Sequence, residues 1–333
     1  MNVVVTGGGG FLGQRLLRAL AARGTLTRAD GRVEPIGRLL SVDREQPASL
    51  FVHDLVEYVR GDISTLDFLG HVLGNDTASV FHLAAAPSAR TEADFDLGMA
   101  ANLDATRALL EACRMQRARP RFVLASSVAV YGLAGSAVVG DATLATPSTS
   151  YATQKLICEL LLADYSRKGF VDGRALRLPS IVVRPASASE GPAGFASSII
   201  REPLDGADAV CPVEPQTALW LASPAAAVAA LAHAHELPEA AWGAARSLNA
   251  PGVTVTVEQM LQALQVVGGE SARTHVRFEP DPVIAEAAHT WPSRFDVSRA
   301  RALGFPGDPD FLSIVRRHAA ERALAVSASR PRA

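Results

Sequence analysis

The sequence begins with NVVVTGGGGFLG (residues 2–13), which predicts a strand, a tight turn and the start of a helix. Residues 2–6 form a short apolar, β-branched run, and apolar residues recur at helical spacing over 11–23. Gly7, Gly10 and Gly13 are spaced three apart, where glycine permits a tight bend and close approach of the backbone to a pyrophosphate. We therefore expect a dinucleotide here, held by backbone N–H groups and the helix dipole. Phe11 and Leu12 belong to the same expected cofactor site.

The pattern of strand followed by helix recurs along the first half of the chain. Apolar runs typical of buried strands occupy 38–42, 79–84, 121–126 and 175–183, and helical patterns occupy 97–117 and 149–167. Because parallel strands need crossover connections, this alternation predicts a Rossmann-type α/β fold with a doubly wound parallel sheet.

The composition of the sequence changes after about residue 185. A stretch rich in Pro, Gly, Ser and Ala begins there (185–194), and a strong helical pattern follows at 224–236. We expect a smaller, interleaved C-terminal substrate domain. The predicted cofactor domain covers 1–180, with about 217–245 returning to it, and the substrate-binding region covers 181–333. A hairpin insertion is predicted at 24–35, and the tail 326–333 is predicted to fray.

Composition limits the classes of partner. The 333 residues are 48% apolar and 20% charged, with a net charge of -2, which argues against binding to nucleic acid or an anionic membrane and favours a small molecule. The three cysteines are far apart and show no metal-ligand spacing, so we expect neither disulfides nor a metal site. There is no run of about 20 apolar residues, and no charged leader precedes the first strand, so we expect a cytoplasmic protein.

Two acidic positions are candidates for contacts to the cofactor. Asp43 ends the second predicted strand of the sheet, where a carboxylate can accept from both adenosine ribose hydroxyls and repel a 2'-phosphate. This favours NAD over NADP. Asp43 is further from the turn than usual, which the insertion at 24–35 explains. Asp62 and Ile63 follow a third short strand and are expected at the adenine.

Tyr151 and Lys155 stand four residues apart at the start of a predicted helix, which places both side chains on one face. A tyrosine is a poor base at neutral pH unless a nearby cation favours the phenolate. Lys155 supplies that cation. Ser126 and Ser127 end a buried strand some 24 residues upstream, where a hydroxyl can stabilise charge on a substrate oxygen.

These motifs, in this order, resemble the extended short-chain dehydrogenase/reductase family, which includes nucleotide-sugar epimerases and dehydratases. The resemblance implies a catalytic set of Ser127, Tyr151 and Lys155, which also contact substrate or cofactor, with Asn102 as a supporting residue. It implies further that Leu83, Ala84, Ala85 and Pro179 line the NAD.

The second half of the chain bears on the substrate. The stretch TALWLASP (217–224) lacks the arginine and the acid that the epimerases usually carry there. The strings LPSIVVRP (178–185), SSIIREPL (197–204), AVCP (209–212) and LWLASP (219–224) instead resemble the D-erythronate dehydrogenase group. This resemblance implies oxidation of the C2 hydroxyl of a small sugar acid, most simply D-erythronate to 2-dehydro-D-erythronate. The sequence departs from that group at Ala218 and Ala225, where basic residues are expected.

The candidate substrate contacts follow from the same resemblance. Arg184 and Arg201 are the candidates for the carboxylate partner, and Ser126 and Trp220 are further expected contacts. A nucleotide-sugar epimerase or dehydratase remains an alternative, as does a non-catalytic NAD(P)-sensing module. The apolar helix at 97–117 suggests a homodimer built from paired helices.

Overall fold

The computed structural model describes residues 1–45, 50–116, 119–132, 138–188 and 191–329, and for 325–329 it describes the backbone alone. The strands are β1 (Asn2–Thr6), β2 (Thr25–Thr27), β3 (Val33–Pro35), β4 (Arg38–Asp43), β5 (Val56–Arg60), β6 (Thr77–His82), β7 (Arg121–Ser127), β8 (Val138–Val139), β9 (Asp172–Leu178), β10 (Ser180–Ile181), β11 (Ala209–Cys211), β12 (Ala218–Ala222), β13 (Ser247–Asn249), β14 (Val253–Thr256), β15 (Val276–Phe278) and β16 (Arg294–Phe295).

The α-helices are α1 (Phe11–Arg23), α2 (Leu66–Val72), α3 (Ser88–Ala93), α4 (Phe95–Gly98), α5 (Ala105–Met115), α6 (Ser150–Arg167), α7 (Phe195–Leu204), α8 (Pro224–Glu236), α9 (Glu239–Trp242), α10 (Val257–Thr274), α11 (Pro282–Thr290), α12 (Ser298–Ala302) and α13 (Phe311–Ser329). A π-helical turn (Met99–Asp104) joins α4 to α5. Short 3-10 turns occur at Val128–Tyr131, Ala186–Ala188 and Pro192–Gly194.

The central layer is a seven-stranded sheet in the order β13-β9-β7-β6-β1-β4-β5. Every pairing within it is parallel. Helices α1 and α8 pack on one face, and α2, α5 and α6 pack on the other. With both faces covered, the central strands are buried throughout, as parallel sheets require. The predicted doubly wound α/β sheet is confirmed.

Several predicted elements differ in detail from the structure. The run 175–183 divides into β9 and β10 at Pro179, which has no N–H to donate to a sheet. The helix predicted at 97–117 corresponds to the end of α4, the π-helical turn and α5, which follow one another without a break. Arg117 lies outside the described residues. The insertion at 24–35 is the antiparallel hairpin β2–β3. The tail does not fray at 326, because α13 continues to 329; residues 330–333 lie outside the described part of the chain.

A smaller region follows β9 and contains the sheet β10-β12-β14, the pair β11-β15, and α7, α10, α11 and α13. The chain returns to the main sheet through α8 and β13 (224–249). The predicted returning segment, 217–245, also contains β12, which pairs with β10 and β14 instead. The division into a cofactor domain and a substrate domain stays a prediction.

Two fully buried histidines bracket strand β6. At its amino end, the Ser79 hydroxyl lies 2.7 Å from Nε2 of His235, which ends α8 and stacks on Phe81. At its carboxyl end lies His82. Burial lowers the pKa of His235 to about 4, and burial together with the charge of Lys155 lowers the pKa of His82 to about 3. Both imidazoles are therefore neutral in the folded protein at neutral pH.

These two histidines predict a loss of stability in mild acid. Below pH 6.5 both rings take up protons in the unfolded chain but stay neutral in the folded one, so the free energy of unfolding falls by up to about 1.4 kcal/mol per pH unit for each ring. Urea unfolding at pH 7, 6 and 5 measures this slope, and the His235→Gln variant should show a shallower one. Equal free energies of unfolding at pH 7 and pH 5 would contradict the prediction.

Candidate active site

The candidate site lies along the edge where the strands of the main sheet end. Thr6, Asp43, His82, Ser127 and Leu178 are the last residues of β1, β4, β6, β7 and β9. Because these strands are parallel neighbours, their last residues share one edge, which is where ligands bind in open α/β sheets. The glycine turn, which follows β1, and the end of β7, which carries Ser127, are therefore on the same side of the molecule.

The glycine turn is shaped by two kinds of glycine. Gly7 has a φ of 69° and donates to the Val42 carbonyl at 2.8 Å. A Cβ on Gly7 would lie 2.6 Å from the Ala84 nitrogen, and one on Gly13 would lie 2.1 Å from the Gly7 oxygen. Gly10 differs: it is exposed, and the nearest atom to an added Cβ is the Gly7 oxygen at 3.2 Å. Its missing side chain leaves open the space at the start of α1, as a pyrophosphate requires.

The Asp43 carboxylate lies against the glycine turn. It accepts hydrogen bonds from the backbone N–H groups of Gly9 at 3.1 Å and of Arg44 at 2.8 Å. The hairpin β2–β3 accounts for the long sequence separation, since it lies between α1 and β4. Asp43 therefore stands beside the turn, where a ribose bound to the same cofactor would lie; contact with that ribose stays a prediction.

Asp62 and Ile63 follow β5 on the same edge. The Asp62 carboxylate accepts from the Ser64 N–H at 2.9 Å, and this bond, aided by Arg44 at 3.7 Å, holds the pKa of Asp62 below its usual value. The Ile63 side chain is buried in the core. The carboxylate is thus turned towards its own loop, and a contact with adenine stays a prediction.

Asn102 lies in the π-helical turn and holds the segment that follows β6. Its side-chain oxygen accepts from the Ala86 N–H at 2.7 Å, and its side-chain nitrogen donates to the Ala86 carbonyl at 3.3 Å and to Gln154 at 2.8 Å. The residues predicted to line the cofactor, Leu83 to Ala85, immediately precede this clamp. Asn102 therefore acts as a positioning residue that links this segment to helix α6.

Tyr151 and Lys155 lie one turn apart at the start of α6, whose first turn is capped by the Thr149 hydroxyl. Lys155 is almost fully buried, and its Nζ donates to the Ala125 carbonyl at 3.0 Å. The same Nζ lies 5.7 Å from the centre of the Tyr151 ring. The ammonium group is therefore held by β7 beside the tyrosine ring.

The two serines at the end of β7 face different surroundings. Ser126 is buried, and its hydroxyl donates to Glu159 at 2.5 Å. Ser127 is half-buried, and its oxygen accepts from the Ala129 N–H at 3.1 Å. Side chains alternate between faces along a strand, so the two hydroxyls cannot serve one site. The Ser126 hydroxyl is thus bound to Glu159, while the catalytic role of Ser127 and a substrate contact of Ser126 stay predictions.

The partner of Ser126 belongs to a buried ion pair that the sequence analysis missed. Glu159 receives a two-pronged hydrogen bond from Arg177, which also donates to the Tyr131 hydroxyl at 2.6 Å. Glu159 follows Lys155 by one helical turn, and this spacing is the signal that could have found it. The pair ties α6 to β7 and β9 and so fixes the strand end that carries Ser127.

The two candidate arginines, Arg184 and Arg201, are next to each other in the structure. Burial, together with the charge of the neighbouring Arg201, lowers the pKa of the Arg184 guanidinium. Negative charge on Tyr151 would raise that pKa. Arg201 donates to the Arg184 carbonyl and pairs with Glu202. Its charge therefore has a carboxylate partner within the protein, and it holds the backbone of Arg184.

Trp220 on β12 lies beside Pro179, the residue between β9 and β10. A Cβ added to Gly252 would lie 2.8 Å from Cε2 of Trp220 and 2.9 Å from Cγ of Pro179. The Trp220 ring is buried, stacks on Phe295 with ring centres 5.0 Å apart, and lines a cavity of about 690 Å³ together with Gly252 and Arg301. Pro179 is also buried. A contact of Trp220 with the substrate and one of Pro179 with NAD stay predictions.

Across the described ranges, no group of three or more His, Cys, Asp or Glu side chains is placed to hold a metal ion. Over the same residues, no helix is both long and apolar enough to cross a membrane.

Comparison with known proteins defines the class to which this fold and site belong. Residues 3–247 match the model of the NAD dependent epimerase/dehydratase family. The chain belongs to that family, and the open space at Gly10 and the acid at Asp43 fit its cofactor, NAD.

More specific similarities extend over nearly the whole chain. It is 48% identical over 325 residues to the D-erythronate dehydrogenase of Cupriavidus necator, covering 98% of this chain and 100% of that protein. It is 42% identical to the D-erythronate dehydrogenase of Haemophilus influenzae, covering 95% and 98%. A crystal structure described as the nucleoside-diphosphate-sugar epimerase of Agrobacterium tumefaciens superimposes with a TM-score of 0.90 at 37% identity, covering 97% and 94%.

The two kinds of glycine predict different consequences of the same substitution. Gly10→Ala should weaken NADH binding by about tenfold or more with a small loss in melting temperature, because its Cβ enters the cofactor's space and meets the turn only at the Gly7 oxygen, at 3.2 Å. Gly13→Ala should lower the melting temperature strongly, because its Cβ meets the turn itself. NADH fluorescence titration and thermal unfolding measure the two effects. Unchanged NADH affinity in Gly10→Ala would contradict the assignment.

Ser126 and Ser127 provide a matched pair. Ser127→Ala should lower kcat by about 100-fold or more at unchanged stability, the cost typical of losing one donor to a developing oxyanion. Ser126→Ala should lower the melting temperature by leaving Glu159 short of a donor, while kcat changes far less. Steady-state kinetics with thermal unfolding separate the two. A larger kcat loss in Ser126→Ala would reverse the assignment.

Proposed function

We propose that this protein is an NAD-dependent dehydrogenase that oxidises the C2 hydroxyl of a small sugar acid, with D-erythronate as the preferred substrate. The observation that carries the proposal is the Tyr151–Lys155 pair at the start of α6, where the Lys155 Nζ lies 5.7 Å from the centre of the Tyr151 ring, and we assign Arg184, which follows β10, as the cation for the substrate carboxylate. A C2 hydroxyl is on the carbon next to the carboxylate. One cation beside one proton acceptor is therefore the pairing that a 2-hydroxy acid needs. The near full-length similarity to two D-erythronate dehydrogenases supports the same substrate.

The mechanism assigns one role to each residue. Bound NAD supplies the hydride acceptor. Tyr151, as the phenolate favoured by Lys155, takes the proton of the C2 hydroxyl while the C2 hydrogen leaves as hydride, and the product is the 2-keto acid. The Ser127 hydroxyl donates to the same oxygen and so stabilises the charge that develops on it.

Arg184 fixes the orientation of the substrate. A guanidinium binds a carboxylate through two parallel hydrogen bonds, which fixes position and rotation together. With the carboxylate held there, the neighbouring C2 is placed at Tyr151 rather than a carbon further along the chain. Arg201 acts through Arg184, since its guanidinium holds the Arg184 carbonyl. This arrangement needs no basic residue at Ala218 or Ala225.

A nucleotide-sugar epimerase or dehydratase is the second candidate, because the Agrobacterium structure with that description has a similar fold. A nucleoside diphosphate needs several cations. Of the two candidate arginines, Arg201 already has a carboxylate partner, Glu202. This electrostatic setting disfavours a diphosphate. A non-catalytic NAD(P)-sensing role is disfavoured because both Tyr151 and Lys155 are retained.

The assembly and location form a separate part of the proposal. Phe95, Leu97 and Met115 on the α4–α5 helix and Leu160 on α6 are apolar and exposed. Pairing of these helices between two copies would bury them, so we propose a homodimer. We also propose a cytoplasmic location, which suits an enzyme that draws on cellular NAD.

The Arg184→Met variant tests the carboxylate contact. Loss of a charged hydrogen-bonded pair should raise KM for D-erythronate about 100-fold while KM for NAD changes little. NADH absorbance at varied D-erythronate measures this, with Arg277→Met, an exposed arginine on β15, as the matched control. An unchanged KM in Arg184→Met would remove Arg184 from the carboxylate site.

A substrate panel tests the function itself. NADH should form with D-erythronate and with no UDP-sugar. Turnover of a UDP-sugar without response to any C4 to C6 sugar acid, together with NAD that survives purification, would instead establish the epimerase alternative.

A further inference from the structure

A chain of buried hydrogen bonds runs from the backbone of Ala84 to that of Asn102. The Ala84 N–H points to the Thr6 hydroxyl at 3.5 Å, and that hydroxyl lies 2.6 Å from Nδ1 of His82. On the other side of the ring, Nε2 lies 2.8 Å from the Thr106 hydroxyl, which donates to the Asn102 carbonyl at 2.5 Å. The three side chains involved, those of Thr6, His82 and Thr106, are all at most 2% exposed. None of the catalytic steps above uses this chain.

The last hydrogen bond of this series, from Thr106 to the Asn102 carbonyl, determines where each of the other protons lies. Thr106 has one hydroxyl hydrogen, and the 2.5 Å separation places it towards the Asn102 carbonyl. The Thr106 oxygen must then accept from Nε2 of His82, which therefore carries the ring proton. Nδ1 is left as the acceptor for the Thr6 hydroxyl. His82 is thus held as one tautomer, donating to one side and accepting from the other.

These hydrogen bonds connect the cofactor-lining segment, Leu83 to Ala85, to Asn102 by two routes. Its first member, Ala84, is held through Thr6, His82 and Thr106 to the Asn102 carbonyl. The side chain of Asn102 binds both backbone groups of Ala86, two residues further on. The same residue therefore anchors the segment from both directions, once through its carbonyl and once through its amide.

The glycine turn depends on this segment for its own position. An added Cβ on Gly7 would lie 2.6 Å from the Ala84 nitrogen, so the two backbones are in close contact. Thr6 is both the last residue of β1 and a member of the hydrogen-bonded chain. A shift of Ala84 would therefore displace the turn as well as the segment.

We propose that His82 is a positioning residue for the cofactor, which couples the glycine turn and the segment Leu83 to Ala86 to the π-helical turn that carries Asn102. A histidine serves here because its two ring nitrogens lie on opposite sides and act as donor and acceptor at once. A purely apolar side chain would leave the buried hydroxyls of Thr6 and Thr106 without this connection. The inference depends on cofactor binding alone, so it stands or falls separately from the choice of sugar acid.

The other end of β6 supplies a matched control. Ser79 and His235 form the same kind of contact, a buried hydroxyl against a fully buried imidazole, at the amino end of the strand. That end is opposite the edge that carries the glycine turn. Ser79→Ala therefore removes a comparable hydrogen bond without touching the proposed cofactor connection.

The test compares NADH binding in Thr106→Val, His82→Gln, His82→Phe and Ser79→Ala. Fluorescence titration of each variant gives the Kd for NADH, and thermal unfolding without cofactor gives the cost in stability. We expect Thr106→Val to raise the Kd about tenfold and Ser79→Ala to leave it within about twofold of the wild type, at similar losses in melting temperature. His82→Gln, which retains an N–H that can reach Thr106, should bind NADH more tightly than His82→Phe.

An NADH Kd within about twofold of the wild type in Thr106→Val would overturn the proposal, because the chain would then contribute only to stability. An equal loss of NADH affinity in Ser79→Ala would overturn it as well. Thr106→Val keeps the shape of the side chain, so the test remains available if His82→Phe does not fold.

Discussion

The contact between Gly7 and the backbone of Ala84 is the constraint on which the rest of the site depends. It brings the end of β1 and the end of β6 so close that no side chain fits between them. The turn can then lead directly into α1, and the Asp43 carboxylate can accept from the Gly9 N–H of the turn. A parallel sheet makes such a contact possible because neighbouring strands end side by side.

The site separates residues that react from residues that hold them. Tyr151, Lys155 and Ser127 are the residues proposed to react, whereas Glu159, Arg177 and Asn102 are buried and bind other protein groups. Buried charges are costly unless paired, and Glu159 and Arg177 satisfy each other through several hydrogen bonds. The reacting groups thus stand on strand and helix ends that buried polar contacts hold in place.

Much of the fold could be predicted from the sequence, because apolar periodicity and glycine spacing are local signals. The strand at 2–6 and the helices at 11–23 and 224–236 are found with the predicted bounds. Choosing between Ser126 and Ser127 needed the position of Glu159, which lies on another element. His82 was missed for a similar reason: a histidine within an apolar run gives no sign of its partners until β1 and α5 are packed beside it.

Oxidation at C2 is the central claim of the proposed mechanism, and isotope transfer tests it most directly. D-Erythronate carrying deuterium at C2 is incubated with NAD, and the NADH formed is examined by mass spectrometry. The mechanism predicts one deuterium in each NADH and a slower turnover than with unlabelled substrate. Unlabelled NADH, with the deuterium still at C2 of the product or lost to water, would contradict oxidation at that carbon.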